Sequence, residues 1–297
     1  MAIPNSPHCN ICGSRSGFTQ QERGREGWLC KNCSASSRHR AVMYALGLCL
    51  GALDGPVAAW RPQKELKILE SSGRGSYPMM LKDKFDYYNT EYDPDSELIR
   101  KPFSHIADFQ KLAYEDSQLD FIIASDVFEH VREDERGFRE MYRTLKPSGV
   151  FILTVPYVHE WDETLIRVKI EGDKDIHLLP PEYHGGGGQT LSYRTYGRDL
   201  LTRLRVLGFS VAYFNLEVPE CGITAQAVFL CGKASYLDMT PMRRAFASAN
   251  SADYTSVSPL IPFRIFLLFK YNLLSMRHFV KEIVRRMTDA FSNKPKA

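Results

Sequence analysis

Residues 119–157 read LDFIIASDVFEHVREDERGFREMYRTLKPSGVFILTVPY, and they decide the fold. An apolar run, Leu119 to Ala124, breaks at the polar pair Ser125-Asp126. That is the pattern of a strand buried on both faces whose carboxyl end meets solvent or a ligand. Glu129, Val131, Phe138, Met141, Tyr142 and Leu145 then recur at helical spacing with charges between them, which predicts a helix. Lys146-Pro147-Ser148-Gly149 stops it, and Val150–Val155 is a second buried strand. Strand, helix and parallel strand in about forty residues make one βαβ unit, and open α/β sheets hold their ligands beyond the carboxyl ends of such strands. Asp126, Glu129, His130 and Pro156-Tyr157 all fall at that edge.

The run Ser-Asp-Val-Phe-Glu-His-Val, the helix, and Leu-Lys-Pro-Ser-Gly-Val-Phe, taken in order, closely resemble the fourth and fifth strands of class I S-adenosylmethionine-dependent methyltransferases. The branch they look most like is the small-molecule, type 11-like one. The resemblance implies a Rossmann-like α/β domain over 65–233, with a seven-stranded, mostly parallel sheet covered by helices on both faces. It also implies S-adenosylmethionine as the methyl donor.

The chain has 297 residues, 44% of them hydrophobic and 25% charged, ordinary values for a soluble globular protein with one large domain or two modest ones. Its net charge of +3 is unevenly spread. Residues 1–40 carry six Lys/Arg against two Glu, residues 261–297 carry eight against Glu282 and Asp289, and the remainder is about −7. The opening MAIPNSPHCN has no apolar core and Ala41–Leu53 is too short to span a bilayer, so a cytoplasmic location is expected.

In a reducing compartment, clustered cysteines read as metal ligands before disulfides. Cys9-x-x-Cys12 and Cys30-x-x-Cys33, seventeen residues apart, have the layout of a four-cysteine structural zinc site in an N-terminal knob over 1–36. A two-residue spacer lets both thiolates of a pair face one ion, and Gly13 suits the tight return. Cys49, Cys221 and Cys231 sit in apolar surroundings as core residues. His8 and His39 flank the knob, either as replacement ligands or as surface residues. Arg15, Arg23, Arg25, Lys31, Arg38 and Arg40, with Phe18 and Trp28 among them, form either an anion-binding face or the knob's solvated surface. Residues 37–64 link the knob to the main domain, with a helix over Ser37–Leu53 that Asp54-Gly55-Pro56 ends.

Leu66–Leu69 is the first strand of the α/β domain, followed by a glycine-bearing turn, Glu70-Ser-Ser-Gly73-Arg-Gly75-Ser76-Tyr77. The family turn is acidic-x-Gly-x-Gly-x-Gly; here Ser72 and Ser76 stand where glycines are expected, and Gly73 and Gly75 are out of phase. Two glycines still let a ligand approach backbone amides if the loop is rebuilt. Glu70, Ser72, Gly73 and Gly75 are therefore candidate cofactor contacts. Asp86–Thr90 reads as strand two, ending in Glu91, about twenty residues after the turn, where a carboxylate accepts hydrogen bonds from both ribose hydroxyls. Asp93 is the rival. The resemblance places strand three and its adenine contacts at Ile106–Phe109, with Asp108 accepting from the amino group and Phe109 packing on the ring; the other reading of Asp108 is a loop-capping carboxylate. Asp126 would support the methionine moiety, and Glu129 would orient backbone or cofactor.

Residues 158–188 form a long insertion with His159, Trp161, His177, Tyr183-His184 and four successive glycines, Gly185–Gly188, as a hinge. Its position resembles the family's substrate-binding cover. Tyr193–Leu207 predicts a helix capped by Gly208, and Phe209–Val218 with Ile223–Cys231 a closing hairpin. Residues 234–260 read as a linker. Residues 261–297 form a basic amphipathic helical tail, which either lies on an anionic membrane or packs on protein.

Methyl transfer is a direct displacement at a sulfonium carbon, and a hydroxyl acceptor must also lose a proton. His130, His184 and His177 are the candidate bases. The function expected is methyl transfer to a hydroxyl of a small or glycan-type acceptor. Methylation of RNA gripped by the basic knob is the alternative within the class, although Asn-Pro-Pro-Tyr-type signatures are absent. A non-catalytic scaffold with an altered glycine turn, and a nicotinamide-dependent oxidoreductase, are the alternatives outside it. The oxidoreductase shares the turn but not the Glu-His and Lys-Pro-Ser-Gly stretch.

Overall fold

The computed structural model describes residues 7–20, 26–184 and 190–233. The Gly185–Gly188 hinge, the 234–260 linker and the 261–297 tail expected from the sequence lie outside the described residues.

In chain order the elements are β1 (Phe18–Gln20), β2 (Trp28–Cys30), α1 (Ser37–Leu50), β3 (Gln63–Ser71), α2 (Tyr77–Lys84), β4 (Phe85–Thr90), β5 (Leu119–Ser125), α3 (Asp134–Thr144) and β6 (Leu145–Thr154). The insertion carries β7 (Leu165–Ile166), β8 (Val168–Glu171), β9 (Lys174–His177), β10 (Tyr183–His184), β11 (Thr190–Leu191) and β12 (Arg194–Thr195). α4 (Asp199–Val206), β13 (Ser210–Val218) and β14 (Ile223–Gly232) follow.

The central sheet has the order β13-β14-β6-β5-β3-β4. β4, β3, β5 and β6 run parallel, and β14 and β13 are antiparallel additions. Alternation along the central strands feeds two cores. Phe121, Ile123, Val150 and Ile152 face one layer with Val42, Leu46 and Leu81 from α1 and α2. Leu119, Ile122, Phe151 and Leu153 face the other with Phe138, Met141, Leu200 and Leu204 from α3 and α4. The Rossmann-like layering is as expected, with six strands in the sheet rather than seven. The expected third strand at Ile106–Phe109 is reduced to one parallel bridge, Glu91 with Ile106.

Helix starts also move. Residues 127–131 form a turn, and α3 begins at Asp134. Arg194–Thr195 is taken into a two-stranded pairing with Leu165–Ile166, so α4 starts only at Asp199. Lys146–Gly149 is a bulge: Leu119 pairs with Leu145, and the next partners are Phe121 and Val150.

Because the chain runs from β3 outward to β4 and returns on the other side as β5, the carboxyl ends of β3 and β5 flank a topological switch point, where such sheets bind ligands. The knob and α1 pack beside this edge. Cys9, Ile11 and Cys30 are buried in the same core cluster as Ile68 and Leu230.

Candidate active site

The four cysteine thiols converge. Cys9 Sγ lies 3.7 Å from Cys33 Sγ, and Cys12 Sγ 3.8 Å from Cys30 Sγ. Four thiolates around zinc at about 2.3 Å require sulfur separations near 3.8 Å in a tetrahedron, so the donor set and spacing fit that ion. Each Cys-x-x-Cys turn closes with a residue at positive φ, Gly13 at +76° and Ser34 at +57°. Four thiolates on a dication leave two net negative charges. Arg40, with no solvent exposure, lies close by and donates to the carbonyls of Ala35, Trp28 and Gly222. Burial lowers its pKa, and the neighbouring thiols pull the other way. Arg40 is thus a core cation rather than part of a solvated face.

Arg38 also turns inward. Its Nη1 donates to Ser125 Oγ at 2.8 Å and to the Ser125 carbonyl at 3.2 Å, its Nε lies 3.3 Å from Asp126 Oδ2, and its Nη2 lies 2.5 Å from Glu26 Oε1. Burial disfavours the guanidinium charge, but Asp126 and Glu26 outweigh it and its pKa is raised. A knob residue therefore reaches the end of β5. Nothing in the sequence marked Arg38 out from its basic neighbours, because its strand-end partners, Ser125 and Asp126, lie 87 residues and more away. His39 is equally far from a surface role: its Nδ1 accepts from the Ser36 backbone in a capping box, its ring meets Tyr77 at 5.4 Å, and burial lowers its pKa to about 4.

The glycine-bearing turn is rebuilt, as the shifted glycines require. Ser72 adopts φ +58°, and Gly75 adopts φ +85°. Gly73 is bracketed by Asn89, which accepts from its N–H at 2.9 Å and donates to its carbonyl at 2.8 Å. A Cβ on Gly73 would sit 2.8 Å from the Glu70 carboxyl carbon, whereas around Gly75 the nearest atom is His39 Nδ1 at 4.0 Å. The turn is thus packed on one side and open on the other. Ser76 Oγ donates to the Cys33 carbonyl at 3.4 Å, which ties the turn to the knob.

Glu70 is fully buried beneath the turn and accepts from Tyr77 Oη at 2.6 Å and Tyr87 Oη at 2.5 Å. Burial raises its carboxyl to about 7, against the two tyrosine hydrogen bonds. Its role here is to hold the turn from below. Glu91 is exposed at the end of β4. Asp108 Oδ1 accepts from the Gln110 backbone at 2.8 Å, the loop-capping arrangement, and Phe109 is buried against Phe128. The open face of Gly75 and the exposed carboxyl group of Glu91 are compatible with an adenosyl cofactor at the strand ends.

At the end of β5, Asp126 adopts φ +53° and accepts from Thr154 Oγ1 at 3.1 Å. The following turn is fastened from below. Arg194 donates to the carbonyls of Phe128, Val131 and Arg132, Tyr196 Oη donates to the Phe128 carbonyl and to Asp134, and Tyr193 N–H donates to the Glu129 carbonyl. Arg194 and Arg203 share the Asp134 carboxylate at 3.5 and 2.8 Å. Glu129 is fully buried. His130 Nδ1 lies 2.9 Å from the Leu191 carbonyl. A carbonyl only accepts, so that nitrogen carries the proton, and in the neutral ring Nε2, 3.7 Å from Glu129 Oε1, presents its lone pair. Burial lowers the His130 pKa.

The hairpin β10–β11 brings His184 to His130, ring centroids 4.6 Å apart and edge-on. His177 stands apart, exposed on the hairpin β8–β9 opposite Val168. The structure thus brings two of the three candidate histidines together with Glu129 under the insertion.

Residues 71–153 match a family model described as a methyltransferase domain. That match runs from the glycine-bearing turn to the end of β6, and the Rossmann-like layering of the sheet agrees with a methyltransferase domain there. No curated protein matches the chain. Solved structures similar to it include a Burkholderia thailandensis 1,6-didemethyltoxoflavin-N1-methyltransferase with bound 1,6-didemethyltoxoflavin and S-adenosylhomocysteine, at 16% identity and TM-score 0.38, covering 67% of this chain and 79% of that one. Another is a Mesorhizobium loti S-adenosylmethionine dependent methyltransferase, at 14% identity and TM-score 0.39, covering 66% of this chain and 97% of that one.

Proposed function

We propose that this chain transfers a methyl group to a hydroxyl of a small or glycan-type acceptor bound between the carboxyl end of β5 and the insertion. The observation that carries the proposal is the meeting of Glu129, His130 and His184 beside Asp126. S-adenosylmethionine, when bound, supplies an electrophilic methyl carbon on a sulfonium. The protein's part is alignment and proton removal. Glu91 holds the ribose end, and the turn around Gly73 and Gly75 admits the cofactor to backbone contact. The Arg38–Asp126 pair fixes the strand end beside the methionine end. His130 and, from the hairpin β10–β11, His184 receive the acceptor, and one imidazole lone pair takes up the hydroxyl proton.

The four-cysteine knob holds zinc as a structural ion in this proposal, and it forms one wall of the cofactor site through Arg38, His39 and the Cys33 carbonyl. Methylation of RNA is less favoured, because Arg38 and Arg40, two of the basic residues such a grip would use, are committed to internal partners. The test is calorimetric titration of the full chain with S-adenosylmethionine and adenosylhomocysteine, with Glu91→Ala as control. Binding that is lost in the variant supports the proposal and turns the search to acceptors. Failure of the wild-type chain to bind either compound would hand the lead to the scaffold reading.

A further inference from the structure

We infer that Glu129, His130 and His184 form a binding site for a divalent transition-metal ion, separate from the four-cysteine cluster. One ligating atom from each of the three lies within 4.8 Å of the other two. One carboxylate and two imidazoles suit zinc or another borderline first-row dication and leave open positions for further ligands.

Three features favour an ion over a plain hydrogen-bonded cluster. His130 Nδ1–H is committed to the Leu191 carbonyl, so Nε2 offers a lone pair toward the Glu129 carboxylate, which also has only lone pairs to offer. These two ligating atoms, 3.7 Å apart in a buried place with His184 beside them, are spaced to share one ion. The Nδ1–H to carbonyl bond is moreover the outer contact that metal-bound histidines characteristically make, since it fixes the tautomer and aims the other nitrogen.

The second feature is rigidity. Arg194, Tyr196 and the Tyr193 amide hold four successive regions of the 128–132 turn, at the carbonyls of Phe128, Glu129, Val131 and Arg132. The first two ligands therefore sit on a turn that is already set before any ion arrives. The third is the common origin of the remaining parts. Leu191, which orients His130, and His184, which completes the set, belong to the same two-stranded hairpin, where Tyr183 pairs with Leu191 and His184 with Thr190. One hairpin therefore both orients one imidazole and supplies the other.

The location also gives the ion a task, and this part rests on the methyl-transfer proposal. An acceptor hydroxyl on an open position of the ion becomes more acidic. Its O–H bond breaks, the proton passes to water, and the oxygen remains on the metal as the nucleophile. His130 and His184 are then ligands, and the ion does the work otherwise assigned to an imidazole base. Binding of the ion itself needs neither cofactor nor acceptor.

The experiment uses the full chain with its cysteine cluster loaded with zinc and loosely held metal removed by brief chelation. Cobalt(II) is titrated in, with visible spectra and metal content by mass spectrometry as readouts. Expected is one further ion per chain, with d–d bands lacking sulfur charge-transfer intensity. That ion should bind roughly 100-fold or more weakly in Glu129→Gln, His130→Gln and His184→Gln. His177→Gln, on the neighbouring hairpin, should leave it unchanged. Each variant is accepted only if it keeps its cysteine-bound zinc and unfolding midpoint; His184→Gln, in a two-residue strand, is the one least able to disturb the fold. No further ion in the wild-type chain, or one that binds His184→Gln unchanged, overturns the inference. Adenosylhomocysteine binding, measured on the same samples, separately reports whether the methyl-transfer proposal stands.

Discussion

Arg38 Nε lies 3.3 Å from Asp126 Oδ2 and joins the cysteine knob to the carboxyl end of β5. Asp126 holds a left-handed backbone conformation that non-glycine residues seldom adopt, so the contacts around it must maintain it. Arg38, its side chain 15% exposed, supplies a cation paired with it. Arg38→Gln leaves two carboxylates, Glu26 and Asp126, without that counter-charge. After allowance for partial exposure, the loss of stability is expected to be about 2 kcal/mol. Adenosylhomocysteine affinity should fall roughly tenfold or more, read by calorimetry. Unchanged affinity would show that the strand end keeps its shape without the knob.

Removal of the zinc proposed for the cysteine knob makes a broader prediction. Cys9 and Cys30 share a core cluster with α1, and the Cys33 carbonyl accepts from Ser76 of the glycine-bearing turn. A chelator strong enough to strip zinc should therefore lower the unfolding midpoint and abolish adenosylhomocysteine binding together. Released zinc, followed by a colorimetric dye, should track both losses. Full cofactor binding by the stripped protein would reduce the knob to an appendage.

Glu70 gives the stability a pH dependence of definite sign. Burial raises its folded-state pKa from 4.5 to about 7, so the contribution is fully present below the unfolded value and is lost as pH rises through about 7. The loss amounts to about 3 kcal/mol at alkaline pH. Glu70→Gln removes this ionisation. Its stability relative to wild type should rise between pH 5 and pH 8, measured by denaturant unfolding at each pH. A difference that stays flat over this interval would mean that the tyrosine hydrogen bonds hold the carboxylate ionised throughout.

Gly73 tests the rebuilt turn directly. A methyl group there would lie 2.8 Å from the Glu70 carboxyl and 2.9 Å from Tyr87 Oη, both parts of a buried cluster with little freedom to move. Gly73→Ala should cost about 1–3 kcal/mol and weaken cofactor binding. Gly75→Ala meets open space but must adopt φ +85°, so its cost comes from the backbone instead. Comparing unfolding midpoints and adenosylhomocysteine affinities of the two variants separates crowding from backbone strain. Equal behaviour of Gly73→Ala and wild type would show that the turn shifts freely.

Sequence alone determined the parts of this protein whose signal is local. Leu119–Ala124 and Val150–Leu153 run with few polar interruptions, so they had to lie inside a covered parallel sheet, and the polar residues that follow them had to fall at its carboxyl edge. Two Cys-x-x-Cys pairs are likewise legible, because a two-residue spacer by itself points two thiols the same way. Tertiary structure decided what depends on partners far along the chain. It turned Arg38 and Arg40 from apparent surface charges into internal cations, made Glu70 the support of the turn, set Asp108 to capping its own loop, and reduced the expected third strand to a single bridge. It also chose His184 over His177 as the neighbour of His130. Both histidines sit in short strands of one insertion, and no local pattern distinguishes them. The difference is one of long-range contact: the Leu191 carbonyl of the β10–β11 hairpin accepts a hydrogen bond from His130 Nδ1–H, 61 residues away in the chain.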